Sequence, residues 1–128
     1  MEAWVQISVI NLSKVHSETY QSNNVAVKIT AADVFDAEGS NAFIFILISL
    51  INGGVTKVIV DMNELEFIDS LGIGTLINAA KQIRQKNGDL VLTRVSEKID
   101  KILQPVNIQR FIKIYSTEQD AIQHLKYM

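Results

Sequence analysis

An α/β fold, built on a mixed, mostly parallel sheet of about five strands with about four helices, is what this sequence predicts. Two observations carry that reading. Short β-branched runs alternate with longer segments of helical spacing, as in chains whose helices cover a parallel sheet. Two of the longer segments end on glycine, at Asn52-Gly53-Gly54 and at Gly88, where a helix C-terminus wants it.

The elements follow in order. Val5, Ile7 and Val9 alternate with polar residues, and Val25, Val27 and Ile29 repeat the spacing, so each triplet suits a half-buried strand. Residues 13–24 between them are mostly polar, which makes the pair a long hairpin. Asp33 or Asp36 opens the first helix. Its interior, Phe43 to Ile48, is β-branched and aromatic and would suit a strand by propensity. Its length, and the crossover needed to make the next strand parallel, decide for a helix.

Lys57 to Asp61 is then a buried strand, followed by a short acidic connection to Asp69. Ser70 to Asn87 is the clearest helix, with Ile73, Leu76, Ile77, Ala80 and Ile83 on one stripe and Lys81, Arg84 and Lys86 toward its negative end. Leu90-Val91-Leu92 begins the next strand. Ser96 caps a short helix with Ile99, Ile102 and Leu103 inward, and Pro105 prevents its continuation. Phe111 to Tyr115 is the last strand, and Ser116 and Gln119 have capping-box spacing before a final helix. The order is ββαβαβαβα, with no repeats, low-complexity tracts or linkers, so residues 1–128 are expected to form one domain.

Composition narrows the function. At 128 residues and 48% hydrophobic content the chain can bury a core. A net charge of -2 argues against nucleic acid as a partner. The absence of cysteine excludes a disulfide frame and thiolate metal sites, and the cytosol is the default compartment. No signal peptide is visible, and the longest apolar run, Ala42 to Ile51, falls short of the ~20 residues that span a bilayer.

The catalytic alternatives fail on particular residues. A phospho-receiver domain needs an acidic pair after its first strand, and Val5 to Leu12 has neither aspartate nor glutamate. Gly72-x-Gly74 lacks the third glycine of a dinucleotide fingerprint, and there is no Walker A sequence. Ile68 stands where a nucleophile elbow has its first glycine. His16 and His124 lie in polar stretches and read as solvated. No catalytic constellation, metal set or cofactor is implied.

Ser70 carries the most information. At a helix start its hydroxyl can be a cap, part of an anion site, or a phosphorylation switch. Gly72 and Gly74 cost helix stability by roughly 1 kcal/mol each relative to alanine. They mark either a backbone meant to be approached or close packing of helix on sheet.

The pattern around Ser70 is strand-Asp61, then Phe67-Ile68-Asp69-Ser70-Leu71-Gly72-Ile73-Gly74. It resembles the STAS domain of bacterial anti-sigma factor antagonists, and Val25 to Leu125 follows that family's layout. The departures are Ala32-Asp33-Val34-Phe35-Asp36, which lacks the family's turn glycine, Leu71 in place of a small residue, and a long loop before Val25.

The resemblance implies a STAS-like fold and a protein-binding module rather than an enzyme. It further implies that Ser70 is phosphorylated by an anti-sigma factor that is also a serine kinase. The unphosphorylated form would bind that partner and free the sigma factor, and a Ser/Thr phosphatase would reset the phosphorylated form. The implied partner surface is Asp33, Asp36, Asp61, Asp69, Ser70, Leu71, Gly72, Ile73 and Gly74. The rival within the family is a scaffold or adaptor subunit in a stress-sensing or lipid-transport complex. The first helix, apolar nearly all round, is either a docking face, for a second copy or another partner, or is buried beneath the N-terminal hairpin.

Overall fold

The computed structural model describes residues 5–11 and 25–128. Strands β1 (Val5–Asn11), β2 (Val25–Phe35), β3 (Lys57–Ile68), β4 (Asp89–Thr93) and β5 (Ile114–Tyr115) form one sheet in sequential order. β1 pairs antiparallel with β2, and every other pairing is parallel. The two expected strands therefore pair as in the hairpin, and residues 12–24, which connect them, lie outside the described residues.

Helices α1 (Ala37–Asn52), α2 (Ser70–Gln85), α3 (Glu97–Leu103) and α4 (Glu118–Lys126) complete the order. Three parallel crossovers of one hand put α1, α2 and α3 on the same face. There Phe43, Leu47, Leu76, Ala80, Ile83, Ile99 and Leu103 close over Val27, Ile29, Val58, Val60, Leu90 and Leu92. α4 lies on the other face, with Ala121 and Leu125 against Ala26, Ile59 and Val91. Among the described residues no helix is long and apolar enough to cross a membrane.

Several boundaries differ from expectation. β3 does not stop at Asp61 but runs to Ile68, so the acidic connection is itself strand. Beyond Met62 its buried positions are Leu65 and Ile68, a spacing of three. Two bulges produce it. Thr30 and Ala32 face Asp61 and Glu64, and Asp33 and Val34 face Leu65 and Phe67, so β3 carries an extra residue at each step.

The last strand is only Ile114–Tyr115, because Ile108–Arg110 form a 3₁₀ turn whose Ile108 carbonyl accepts the N–H groups of Phe111 and Ile112. Thr117, not Ser116, caps α4 by accepting the N–H of Asp120 at 3.1 Å. Ile7, expected to face the core, is exposed on the edge strand β1. On α1, Ile44, Phe45 and Ile48 are exposed at 41%, 74% and 46%, so this face is uncovered rather than buried under the hairpin.

Candidate functional site

β2 and β3 end side by side, with Phe35 opposite Ile68, and each turns directly into a helix. The next residue after each strand is an aspartate. Asp36 accepts the N–H of Gly39 at 3.2 Å and caps α1; Asp69 accepts the N–H of Gly72 at 2.8 Å and caps α2. The N–H of Asp69 donates to the Phe35 carbonyl at 3.2 Å, which ties the two turns together. Two helix N-termini thus lie side by side beyond the carboxyl ends of parallel strands, the end where open α/β sheets place their sites.

Ser70 is the first residue of α2, not its cap. The expected cap at Ser70 is corrected to Asp69, whose carboxylate reaches the N–H three residues on and whose carbonyl accepts that of Ile73 at 3.0 Å. The Ser70 hydroxyl is left exposed at the surface. Leu71, the next residue, is 58% exposed, and Phe67, three residues before, is 46% exposed, so apolar surface lies on both sides of it in sequence.

The two glycines separate. A Cβ on Gly72 would lie 2.5 Å from both Cδ1 and the carbonyl oxygen of Phe35, and 2.8 Å from Cγ1 of Ile68. Gly72 is therefore required for the close seating of α2 on the ends of β2 and β3. Apart from its chain neighbours and its own helix backbone, nothing among the described residues lies within 4 Å of the corresponding point on Gly74, so that position is open. Ile73 is buried in the core.

Of the sequence-predicted site residues, Asp36, Asp69, Ser70, Leu71, Gly72, Ile73 and Gly74 gather at this end, and Asp33 joins them through backbone pairing with Leu65. Asp36, Asp69, Ser70 and Leu71 reach the surface there. Asp61 stands apart, nearly fully buried in the middle of β3. Its carboxylate accepts from Arg94 Nη2 at 2.6 Å and Nε at 3.2 Å, and from the N–H of Asn63 at 3.0 Å. Those hydrogen bonds and the opposite charge raise the Arg94 pKa above its ordinary value.

His124 also needs correction. It is not a solvated side chain, for its Nε2 lies 2.8 Å from Asp89 Oδ2 and its ring centre lies 5.5 Å from that of Tyr115, the two planes tilted by 32°. The reason is register along α4, where His124 follows Ala121 by three residues and so falls near the buried face. His16 lies outside the described residues. Phe67, absent from the predicted surface, is the clearest addition; the three-residue period of β3 was the signal that would have turned it outward.

An α/β domain whose helix start presents an exposed serine beside its capping aspartate defines the class. The STAS domain family matches residues 9–121, and the chain belongs to that family. A Thermotoga maritima protein, provisionally named an anti-sigma factor antagonist, is 30% identical over 76 residues, covering 59% of this chain and 67% of that one. The anti-sigma F factor antagonist of Paenibacillus polymyxa is 26% identical over 69 residues, or 54% of this chain and 59% of its own. The structure of the anti-sigma factor antagonist SpoIIAA in its unphosphorylated form superposes with a TM-score of 0.63 at 21% identity, covering 87% of this chain and 96% of that one. At that identity the likeness is one of fold.

Proposed function

We propose that the chain, acting as a single domain over residues 1–128, is an anti-sigma factor antagonist switched by phosphorylation of Ser70. In its unphosphorylated form it binds an anti-sigma factor that is also a serine kinase, and so releases the sigma factor. Phosphorylation ends that binding, and a Ser/Thr phosphatase restores it. The observation that carries the reading is exposed Ser70 at the first position of α2, with the exposed apolar residues Phe67 and Leu71 on either side of it in sequence.

The chemistry is local. A partner that covers Phe67 and Leu71 would come close to Ser70, which lies between them in sequence. A phosphate adds roughly -1.5 to -2 charge there, and an unpaired charge taken out of water costs several kcal/mol. The helix itself tolerates the group, because its N-terminus carries a partial positive charge. The names of the relatives supply the partner class, and Asp36, Asp69, Ser70 and Leu71 supply the contact surface.

The test compares wild type, Ser70→Ala and Ser70→Asp as baits for partners from the native cell. Wild type and Ser70→Ala are expected to retain one kinase-like protein that Ser70→Asp loses, and that kinase should phosphorylate wild type but not Ser70→Ala. Equal recovery of the same partners by all three would refute the switch and favour a constitutive adaptor. The exposed α1 face supports self-association as well. No charged residue interrupts residues 39–56, so two copies can meet there without like-charge repulsion. A sedimentation profile that stays monomeric as concentration rises would refute it.

A further inference from the structure

The end of the sheet opposite Ser70 carries a second concave site. Asp89 pairs with Lys57, the first residue of β3, whereas Ser70 follows that strand's end. The length of α2, 16 residues, puts the two ends on the order of 24 Å apart. Here the end of α2, the start of β4, residues 109–113 and the last turn of α4 surround a cleft of about 470 Å³, within the size range of small-ligand sites.

Its electrostatics are uneven. Among the described side chains that line the cleft Asp89 is the one carboxylate, and its bonds are already made. It accepts from Arg84 Nε at 3.2 Å and from its neighbour Leu90 N–H at 2.9 Å, and its other oxygen faces His124 Nε2 at 2.8 Å. Since a carboxylate only accepts, His124 presents its proton to Asp89. Arg84 also donates to the Phe111 carbonyl, which fixes the loop against α2.

Arg110 and Lys113 also line the cleft, exposed, and neither enters an ion pair among the described residues. Lys81 lies 5.7 Å from the centre of the Phe111 ring and adds a further cation nearby. In a chain of net charge -2 this is a local surplus of positive charge, in a concave wall that strengthens the field on small anions.

We propose that this cleft binds a small phosphate-bearing anion, held by Arg110 and Lys113 against the Phe111 wall. An arginine fork and a lysine ammonium are the donors that match phosphate oxygens best. The volume fits a compact ligand. Nucleic acid would need cations continued along a face, and the net charge of -2 argues against such a surface. The site is separate from the Ser70 surface, so the two proposals stand or fall independently.

The experiment titrates the full chain with inorganic phosphate, pyrophosphate and citrate at ionic strength held constant with sodium chloride, following backbone amide shifts. Phosphate and pyrophosphate are expected to give saturable shifts centred on residues 84–89, 109–113 and the end of α4. The double variant Arg110→Ser/Lys113→Ser should weaken binding roughly tenfold or more while its urea midpoint stays that of wild type. Linear shifts that chloride alone reproduces would overturn the site, as would saturable binding indifferent to the double variant. Citrate binding as tightly as pyrophosphate would overturn the assignment to phosphate.

Discussion

Replacing Gly72 by alanine adds a methyl group where Phe35 and Ile68 already stand. The new carbon would lie 2.5 Å from the Phe35 carbonyl oxygen and from its Cδ1, and 2.8 Å from Ile68 Cγ1. Carbon contacts are at rest near 3.5–4.0 Å, so a displacement of about 1 Å is needed. The phenyl ring can turn, but the carbonyl oxygen belongs to the backbone and accepts the N–H of Asp69. Relief therefore has to come from lifting the start of α2. Overpacking of this kind costs about 1–3 kcal/mol, against which alanine's helix propensity returns at most ~1 kcal/mol. The net expectation is a loss of about 1–2 kcal/mol.

Gly74→Ala has the opposite sign. Apart from its chain neighbours and its own helix backbone, nothing among the described residues lies within 4 Å of its new carbon, so propensity acts alone and stability should rise by up to about 1 kcal/mol. Equilibrium urea unfolding followed by circular dichroism measures both, with unchanged slopes confirming that only stability moved. A Gly72→Ala protein as stable as wild type, or a Gly74→Ala protein less stable than it, would refute the distinction between the two positions.

The other expectations concern the cap, the buried ion pair and the alkaline limit. Asp69→Ala should cost about 0.5–2 kcal/mol in the same assay through loss of the bond to the Gly72 N–H, while Asp69→Asn should keep most of it. Arg94→Ala leaves the Asp61 carboxylate, 2% exposed, without its counter-ion. Because Arg94 is itself 46% exposed, a loss of about 1–3 kcal/mol is expected, less than for a fully buried pair. Arg94→Gly should lose less than Arg94→Ala, since φ at this residue is 53° and glycine adopts that conformation without strain. Burial first, then Asp89 and Asp120, raises the Tyr115 pKa above the ordinary phenol value. The neutral phenol thus contributes stability that is intact below about pH 10 and is lost as pH rises through the raised folded-state value. Burial lowers the Lys57 pKa, which works the other way as pH rises toward 10.5, but both proteins in the comparison share Lys57. Tyr115→Phe should therefore diverge from wild type, toward slower loss of stability, only at alkaline pH; parallel curves would contradict this.

Regular stripes made most of the fold legible. Leu76, Ala80 and Ile83 on α2, and Ile99 with Leu103 on α3, are buried as their spacing requires. Legibility failed where periodicity broke. The bulges that turn Glu64, Glu66 and Phe67 outward give β3 a period that is neither two nor three point six, so a strand looked like a loop. Ser116 and Thr117 both carry a capping hydroxyl, with serine the stronger cap by chemistry, yet Thr117 is the one that caps α4. The Asp61–Arg94 and Asp89–His124 pairs span 33 and 35 residues, a distance over which single-sequence spacing carries no signal.

The same ambiguity of neighbours affected Asp69 and Ser70, and its resolution matters for the proposed switch. A serine that caps its own helix uses the hydroxyl oxygen as an acceptor, so esterifying that oxygen would disturb the helix start as well as the surface. Here the acceptor is the Asp69 carboxylate, and the Ser70 hydroxyl is free of that duty. The phosphate would add charge near Asp69, yet on an exposed side chain that repulsion is screened by water and salt. The positive end of α2 offsets part of the remainder. Holding the helix and signalling its state thus fall to adjacent residues, so modification of Ser70 can change what the surface binds without changing the seating of α2, which Gly72 and Asp69 maintain.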